Sequence, residues 1–385
     1  MKFSLNNLAK ELIHTNKFKT VVVGISGGVD SMVLLHAVNK LVETGGVTSQ
    51  VKALHINHGL HQASNDWESF CCERCANLGI PLQVERLSLK SLNKDGVGLE
   101  NRARQARYAV FESIVDSDCC LILAHHLDDQ LETLIFRLNR GAGMKGLRAI
   151  PQSRELGNGK LFRPLLRMDR KSLCDFAKSQ KLQWIDDDSN QDISFDRNFL
   201  RHKVLPNLER RWPNYRESWA KSLELISEAQ RITEEVASDD FTALSSNTSN
   251  KLILSALINL AKARQRNVMK YWLKKIARKE IGWNKLQHIV NEVLPVATYS
   301  NVEVAIEDYL IRSYRNQLYL LKEFGPLPET CHWDIRDSQE LPLFNNGIIC
   351  AHKTIGEGIS NKLIENLDIR FRKGGEKLRM RGRPQ

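Results

Sequence analysis

The residues best suited to chemistry are Ser26-Gly27-Gly28-Val29-Asp30-Ser31, set between the apolar run Val21-Val22-Val23 and the amphipathic segment from Met32 to Val38. A strand, a glycine turn and a helix start in that order present free backbone N–H groups and a positive helix end to an anion. The stretch lacks the lysine with which GxxxxGK[ST] loops reach the β- and γ-phosphates, so γ-phosphoryl transfer is disfavoured. Cleavage between the α- and β-phosphates of ATP fits better. Gly27 and Gly28 let the backbone wrap the leaving pyrophosphate, Ser26 and Ser31 offer hydroxyls, and Asp30 can hold Mg²⁺ through the phosphate oxygens. The plainer alternative is a capped strand-to-helix turn.

A second group is Ala124-His125-His126-Leu127-Asp128-Asp129-Gln130-Leu131-Glu132-Thr133. With a helix starting near Asp128, Asp129 and Glu132 share a face, as do Asp128 and Glu132. Carboxylates there can bind Mg²⁺ or an incoming ammonium group, or simply cap the helix. Zinc is disfavoured because no third His or Cys has ligand spacing. Glu100, Arg104 and Arg107 fall on one face of a further helix, which by spacing alone reads as a solvated face with Glu–Arg pairs. Cys71, Cys72 and Cys75 raise the idea of a sulfur or iron–sulfur site, but their apolar spacing reads as a buried helix face. Near the C-terminus Arg370, Arg372, Lys373, Lys377 and Arg379 are opposed only by Glu376 in their own run. They read either as a basic tail or as strands with one charged face for RNA phosphates.

The elements that must position these groups alternate. Strand-like runs at 21–25, 51–56, 82–87 and 120–124 are separated by helical patterns near 31–42, 64–79, 99–116 and 128–139. That alternation predicts right-handed βαβ crossovers and a parallel sheet covered on both faces. Ligands of such sheets bind beyond the carboxyl ends of the strands, which puts the glycine loop, His55-Ile56-Asn57-His58 and His125-His126 on one rim. We therefore expect an α/β parallel-sheet domain over residues 1–215 and a mainly helical domain with a small sheet over 216–323. A linker with a small, β-rich, basic C-terminal domain follows over 324–385. The polar tract 238–250 reads as a loop, 252–277 as helix, 302–323 as a hairpin around Tyr314-Arg315-Asn316-Gln317, and Gly325-Pro326-Leu327-Pro328 as a linker.

With 385 residues, 42% hydrophobic and 26% charged, the composition is that of a globular chain. No signal peptide or membrane span is expected, and the eight cysteines read as reduced thiols of a cytoplasmic protein. A net charge of +11 suits a polyanionic partner.

The glycine loop resembles the PP-loop of the N-type ATP pyrophosphatases. Within that superfamily the chain is similar to the tRNA(Ile)-lysidine synthetases. The resemblance runs through His55-Ile56-Asn57-His58-Gly59-Leu60, Glu100 to Tyr108, Ala124 to Thr133, Arg140-Gly141-Ala142-Gly143 and Arg197-Asn198-Phe199-Leu200-Arg201, and returns at Arg370 to Glu376. It implies ATP-dependent attachment of free L-lysine to C2 of the wobble cytidine in a minor isoleucine tRNA with a CAU anticodon, through an adenylated cytidine. It also implies that His125, Asp129 and Glu132 line the ATP and lysine site, and that Arg104 and Arg197 lie near ATP and the target nucleotide. The family's loop usually has Pro where Asp188 stands, which leaves the loop's rigidity in question here, and its last domain normally continues beyond residue 385. A tRNA thiolase of the same fold, a small-molecule synthetase of the superfamily and a non-catalytic RNA-binding protein stay open as alternatives. So does the oligomeric state, a dimer included.

Overall fold

The computed structural model describes residues 2–59, 61–87, 99–245, 250–322, 330–335, 339–343, 347–352, 354–355 and 367–371. The chain divides into two compact units, Met1–Arg231 and Ile232–Gln385.

In the first unit, strands β1 Thr20–Ile25, β2 Gln50–Asn57, β3 Leu82–Arg86, β4 Cys119–Ile122, β5 Ser153–Leu156 and β6 Gly159–Phe162 form one sheet in the order β3-β2-β1-β4-β6-β5. All neighbours are parallel except the edge hairpin β5–β6. Its helices are α1 Leu5–Leu12, α2 Val29–Glu43, α3 Ser64–Asn77, α4 Leu99–Ile114, α5 Leu127–Leu138, α6 Met144–Leu147, α7 Arg170–Ser179, α8 Asp196–Phe199 and α9 Leu205–Arg211. The long helix α10 Tyr215–Leu244 begins in this unit and ends in the next.

Strand β1 is apolar from Val21 to Ile25 because both of its faces are covered. Val21, Val23 and Ile25 join a core with Leu8 and Leu12 of α1, Val33 and Leu34 of α2 and Leu173 of α7. Val22 points the other way, into a core with Leu54, Leu121, Leu161 and Phe111 of α4. Each such side chain contributes about 1.5–3 kcal/mol when fully buried; an Asp at Val22 would break the second core. The chain runs from β1 outward to β2 and β3, then returns past β1 to β4. The two central strands therefore carry connections that leave in opposite directions, and their carboxyl ends open a crevice.

In the second unit β7 Lys251–Ile253 is followed by α11 Leu254–Ile258, α12 Lys262–Ala277, α13 Trp283–His288 and α14 Leu294–Val296. Strands β8 Glu303–Ile306, β9 Tyr309–Tyr314 and β10 Gln317–Lys322 complete an antiparallel sheet in the order β7-β10-β9-β8. Trp272, fully buried, sits in a core with Leu257, Ile289, Ile311 and Leu318. Further on, β11 Thr330–Trp333 pairs with β14 Leu367–Arg370, and β12 Glu340–Pro342 with β13 Ile348–Cys350. Together these elements give the expected architecture of a parallel-sheet domain, a helical region and a β-rich C-terminal part.

Two local expectations are corrected. The polar tract from Ser238 is helical as far as Leu244, because Phe241 and Leu244 are buried and Asp240 pairs with Arg264. Leu252 and Ile253, read as the start of a helix, instead form a strand together with Lys251, since β10 offers them an edge to pair with. The linker Gly325–Pro328 lies outside the described residues. Among the described residues, no helix is long and apolar enough to cross a membrane.

Candidate active site

The glycine loop closes on itself at the end of β1. Ser31 Oγ donates to the Gly28 carbonyl at 2.9 Å and accepts from the Ser26 N–H at 3.2 Å. Gly28 takes the N-cap position of α2, and Gly27 has φ +86°, a conformation that L side chains rarely adopt. A Cβ there would also stand 2.5 Å from Ile185 Cδ1, and the Ile185 N–H donates to the Gly27 carbonyl at 2.9 Å. The loop carrying Asp186, Asp187 and Asp188 is thus fastened to the phosphate loop one residue before its acidic run.

Asp30, in the first turn of α2, has one carboxylate oxygen, Oδ1, buried without a hydrogen-bond partner. Its Oδ2 lies 3.5 Å from His126 Nε2 and 3.7 Å from Arg170 Nε, and that guanidinium nitrogen is also buried without a hydrogen bond. A free carboxylate oxygen beside a free N–H donor is a donor set for Mg²⁺ on one side and a phosphate oxygen on the other. Among the described residues no group of three or more His, Cys, Asp or Glu is placed to hold a metal.

Helix α5 starts at the end of β4, across the crevice. Its N-cap is His126, and Asp129 Oδ2 accepts from the His126 N–H at 3.0 Å. The His126 ring is almost completely buried; burial works against its charge, but Asp129 and Asp30 outweigh this and raise its pKa to about 9. A charged ring cannot accept at Nδ1, where the Asp129 N–H approaches to a long 3.4 Å, so the cap rests on the Asp129 carboxylate. Burial pushes the Asp129 pKa up, but His126 and His125 more than offset this and hold it below the usual carboxylate value.

The neighbouring carboxylates are committed elsewhere. Asp128 Oδ1 accepts from Arg216 Nε at 2.9 Å, and its Oδ2 from the Arg170 N–H at 2.9 Å. Glu132 has no exposed surface and takes a two-pronged bond from Arg201, Nε to Oε1 at 2.8 Å and Nη2 to Oε2 at 3.1 Å. Burial raises the Glu132 pKa in spite of this partner. Arg201 also comes within 3.7 Å of Asp129. Spacing along the helix left these three acids equivalent, whereas the tertiary partners separate them.

His125 differs from its neighbour. Burial holds its pKa down, to about 3, against the pull of Asp129, and Arg163 Nε donates to its Nδ1 at 3.3 Å. Arg197 Nη2 donates to Thr133 Oγ1 at 3.2 Å, one residue along α5 from Glu132. Arg104 is exposed and lies over the Tyr108 ring, 5.1 Å from its centroid. A cavity of ≈ 240 Å³ beside α5 is lined by Asp128, Glu132, Arg170, Lys171, Arg201 and Arg216, among others. On the β2 rim, His55 Nδ1 lies 3.1 Å from the Ile25 carbonyl and Asn57 donates to Glu68 at 2.8 Å.

Sequence reasoning missed Arg163, Arg170 and Arg216 as parts of this site. The one available signal was Arg163 directly after the apolar end of β6, a charge where the strand enters the crevice. Cys71 and Cys75 are buried, with thiol pKa values pushed by burial to about 12 and about 11, while Cys72 is exposed. Arg370 is exposed on β14. Arg372, Lys373, Lys377 and Arg379, and the side chain of Glu100, lie outside the described residues.

Residues 1–208 match the PP-loop domain family, so the chain carries an ATP-using domain, and residues 252–319 match the TilS substrate binding domain. The chain is similar to a tRNA(Ile)-lysidine synthase of Coxiella burnetii, 36% identical over 100% of this chain and 84% of the relative. One of Pseudomonas fluorescens is 35% identical over 94% of this chain and 80% of the relative. Among solved structures, the U34-tRNA thiolase NcsA of Methanococcus maripaludis with its [4Fe-4S] cluster aligns at a TM-score of 0.49 and 19% identity, over 58% of this chain and 78% of that one. The likeness to the lysidine synthases over nearly all of this chain, together with both domain matches, shows that the chain belongs to the tRNA(Ile)-lysidine synthase family.

Proposed function

We propose that the protein joins free L-lysine to C2 of the wobble cytidine in a minor isoleucine tRNA with a CAU anticodon, converting ATP to AMP and diphosphate. The observation that carries this reading is a pair of buried atoms without hydrogen bonds at the phosphate loop, Asp30 Oδ1 and Arg170 Nε, the latter 3.7 Å from the other carboxylate oxygen of Asp30, beside the acidic start of α5.

The cytidine C2 carbonyl is a poor electrophile, so its oxygen first attacks the α-phosphorus of ATP and diphosphate departs. Ser26, the Gly27 and Gly28 backbone, Val29 and Ser31 cradle that leaving group, with Arg170 as an added donor. Mg²⁺, held by Asp30 through the phosphates, would supply charge neutralisation on those oxygens when bound. The lysine ε-amine then attacks C2, a C–N bond forms, and AMP leaves with the former carbonyl oxygen. To attack, the ammonium group must first lose a proton. Asp129 is the carboxylate proposed to receive it, because Asp128 and Glu132 are hydrogen-bonded to the Arg216 and Arg201 guanidinium groups, whereas the hydrogen bond to Asp129 comes from the His126 backbone to Oδ2. Glu132 with Arg201 shapes the cavity in which lysine would sit, and its cations suit the lysine carboxylate. Arg104 and Arg197 are proposed to contact ATP and the target nucleotide, whose base must be unstacked to enter. Arg370, Arg372, Lys373, Lys377 and Arg379 are proposed to grip tRNA phosphates.

Incubation with Mg-ATP, isotopically labelled lysine and an isoleucine tRNA transcript bearing CAU, followed by mass spectrometry of the nucleosides, tests the reading. A lysine adduct on cytidine that disappears with Asp30→Ala supports it. Diphosphate release without any adduct would overturn lysine as the nucleophile.

A further inference from the structure

Arg163 is the least explained charge in the first unit: its residue is only 2% exposed, yet among the described residues its hydrogen bonds reach no carboxylate. Its partners are all neutral acceptors. Nη1 donates to the Pro151 carbonyl at 2.7 Å, Nη2 to the Tyr108 hydroxyl at 3.2 Å and Nε to His125 Nδ1 at 3.3 Å. A guanidinium has five donors and no acceptor, so whatever faces it must offer a lone pair. The His125 nitrogen toward Arg163 is therefore unprotonated, and the ring's one hydrogen is on Nε2.

We propose that Arg163 is a positioning residue that locks His125 as a neutral Nε2–H donor, so that His125 serves the reaction by donating a hydrogen bond to an oxygen of the adenylated substrate and not as the base for lysine. The use of that donor rests on the reaction proposed above; the tautomer itself does not. The low pKa of His125, set first by burial and reinforced by Arg163, Arg107 and Arg197, agrees with a ring that stays neutral. Tyr108 extends the arrangement. Its hydroxyl takes the second Arg163 bond while Arg104 and Arg154 lie over its ring at 5.1 and 4.5 Å from the centroid. One buried guanidinium thus ties His125 on the β4–α5 connection to Tyr108, the residue beneath Arg104 on α4. Both proposed site residues inherit their placement from it.

The tautomer is tested on the full-length protein labelled with ¹⁵N-histidine, by long-range ¹H–¹⁵N correlation of the His125 ring, assigned by comparison with His125→Gln. A neutral Nε2–H ring from pH 6 to 8 is the expected result. An Nδ1–H tautomer, or a ring that becomes charged in that range, overturns the proposal whatever the enzyme's activity. The functional half is tested by a cycle of Arg163→Met, His125→Gln and the double variant in the lysine-adduct assay. Arg163→Met is expected to lower kcat about 10–100-fold, as loss of an orienting outer partner typically does, with KM for lysine within about 3-fold. In the His125→Gln background, where a side-chain N–H donor persists without Nδ1, the same change should cost less than about 3-fold. Fully multiplicative losses would overturn the link between the two residues. Should Arg163→Met not fold, Tyr108→Phe removes one Arg163 bond only. It should leave the His125 tautomer unchanged, and a change of tautomer there would equally refute Arg163 as the lock.

Discussion

Replacing Arg201 by Met isolates the buried pair at the heart of α5. The substitution removes both bonds to Glu132, at 2.8 and 3.1 Å, and strands a carboxylate with no exposed surface. Breaking a buried ion pair from one side costs about 3–5 kcal/mol. At about 2–4 °C per kcal/mol for a unit of this size, the melting temperature should fall by about 6–20 °C at pH 8. The pH dependence carries the sharper test. Burial already places the folded-state pKa of Glu132 above its ordinary value, and loss of Arg201 raises it further. The folded state then binds the proton that the unfolded state has released. Stability is present below the folded pKa and lost as pH rises through it. The deficit should therefore shrink toward pH 5 and grow toward pH 8. Thermal melts by far-UV circular dichroism across that range, on Arg201→Met and on the double variant Arg201→Met with Glu132→Leu, provide the readout. The double variant should regain most of the loss at pH 8, because no buried charge is left. A deficit below about 2 °C, or one independent of pH, would refute the claim that Glu132 is held as a buried anion by Arg201.

Other changes separate roles that look alike along the chain. Asp128→Asn should lower the melting temperature through its Arg216 and Arg170 bonds while sparing most of kcat; Asp129→Asn should lower kcat as well as the melting temperature, since its carboxylate also faces the buried His126 ring, and steady-state kinetics beside melts would tell them apart. Gly27→Ala should weaken ATP binding, since the φ of +86° alone costs about 1–2 kcal/mol and the new Cβ meets Ile185. Adding Ile185→Ala should recover only the steric part, as calorimetry with a non-hydrolysable ATP analogue would show. Replacing Cys71 and Cys75 together by Ala should cost about 1–3 kcal/mol of stability, read by urea melts, and leave lysine transfer within about 3-fold; abolished turnover in a folded variant would bring the thiolase chemistry back.

Much of this site was legible in one dimension. The run from Val21 to Ser31 dictates strand, turn and helix locally, because apolar residues, glycines and a helix-starting polar segment follow one another at the spacing those elements need. Alternation of strand and helix patterns carried the parallel sheet and its rim for the same reason. The polar tract after Ser238 misled because its loop-like composition conceals Phe241 and Leu244 on a buried face. Pairings between distant residues were beyond the sequence. Asp128, Asp129 and Glu132 are interchangeable by spacing, and only the arrival of Arg216 from α10, His126 from the strand end and Arg201 from the segment after α8 gives each a different task. The place of Arg163 directly after the apolar end of β6 marks it as a charge at the crevice but not its role, since a guanidinium is recognised by the acceptors that surround it. Those acceptors, His125, Tyr108 and Pro151, come from three separate stretches of chain. Sequence by itself determined the strand, turn and helix around the phosphate loop and the alternation behind the parallel sheet, since both depend on neighbours within a few residues. The tertiary structure alone decided which acid stays available, which histidine is charged and which tautomer the other adopts, because burial and long-range charge set those states.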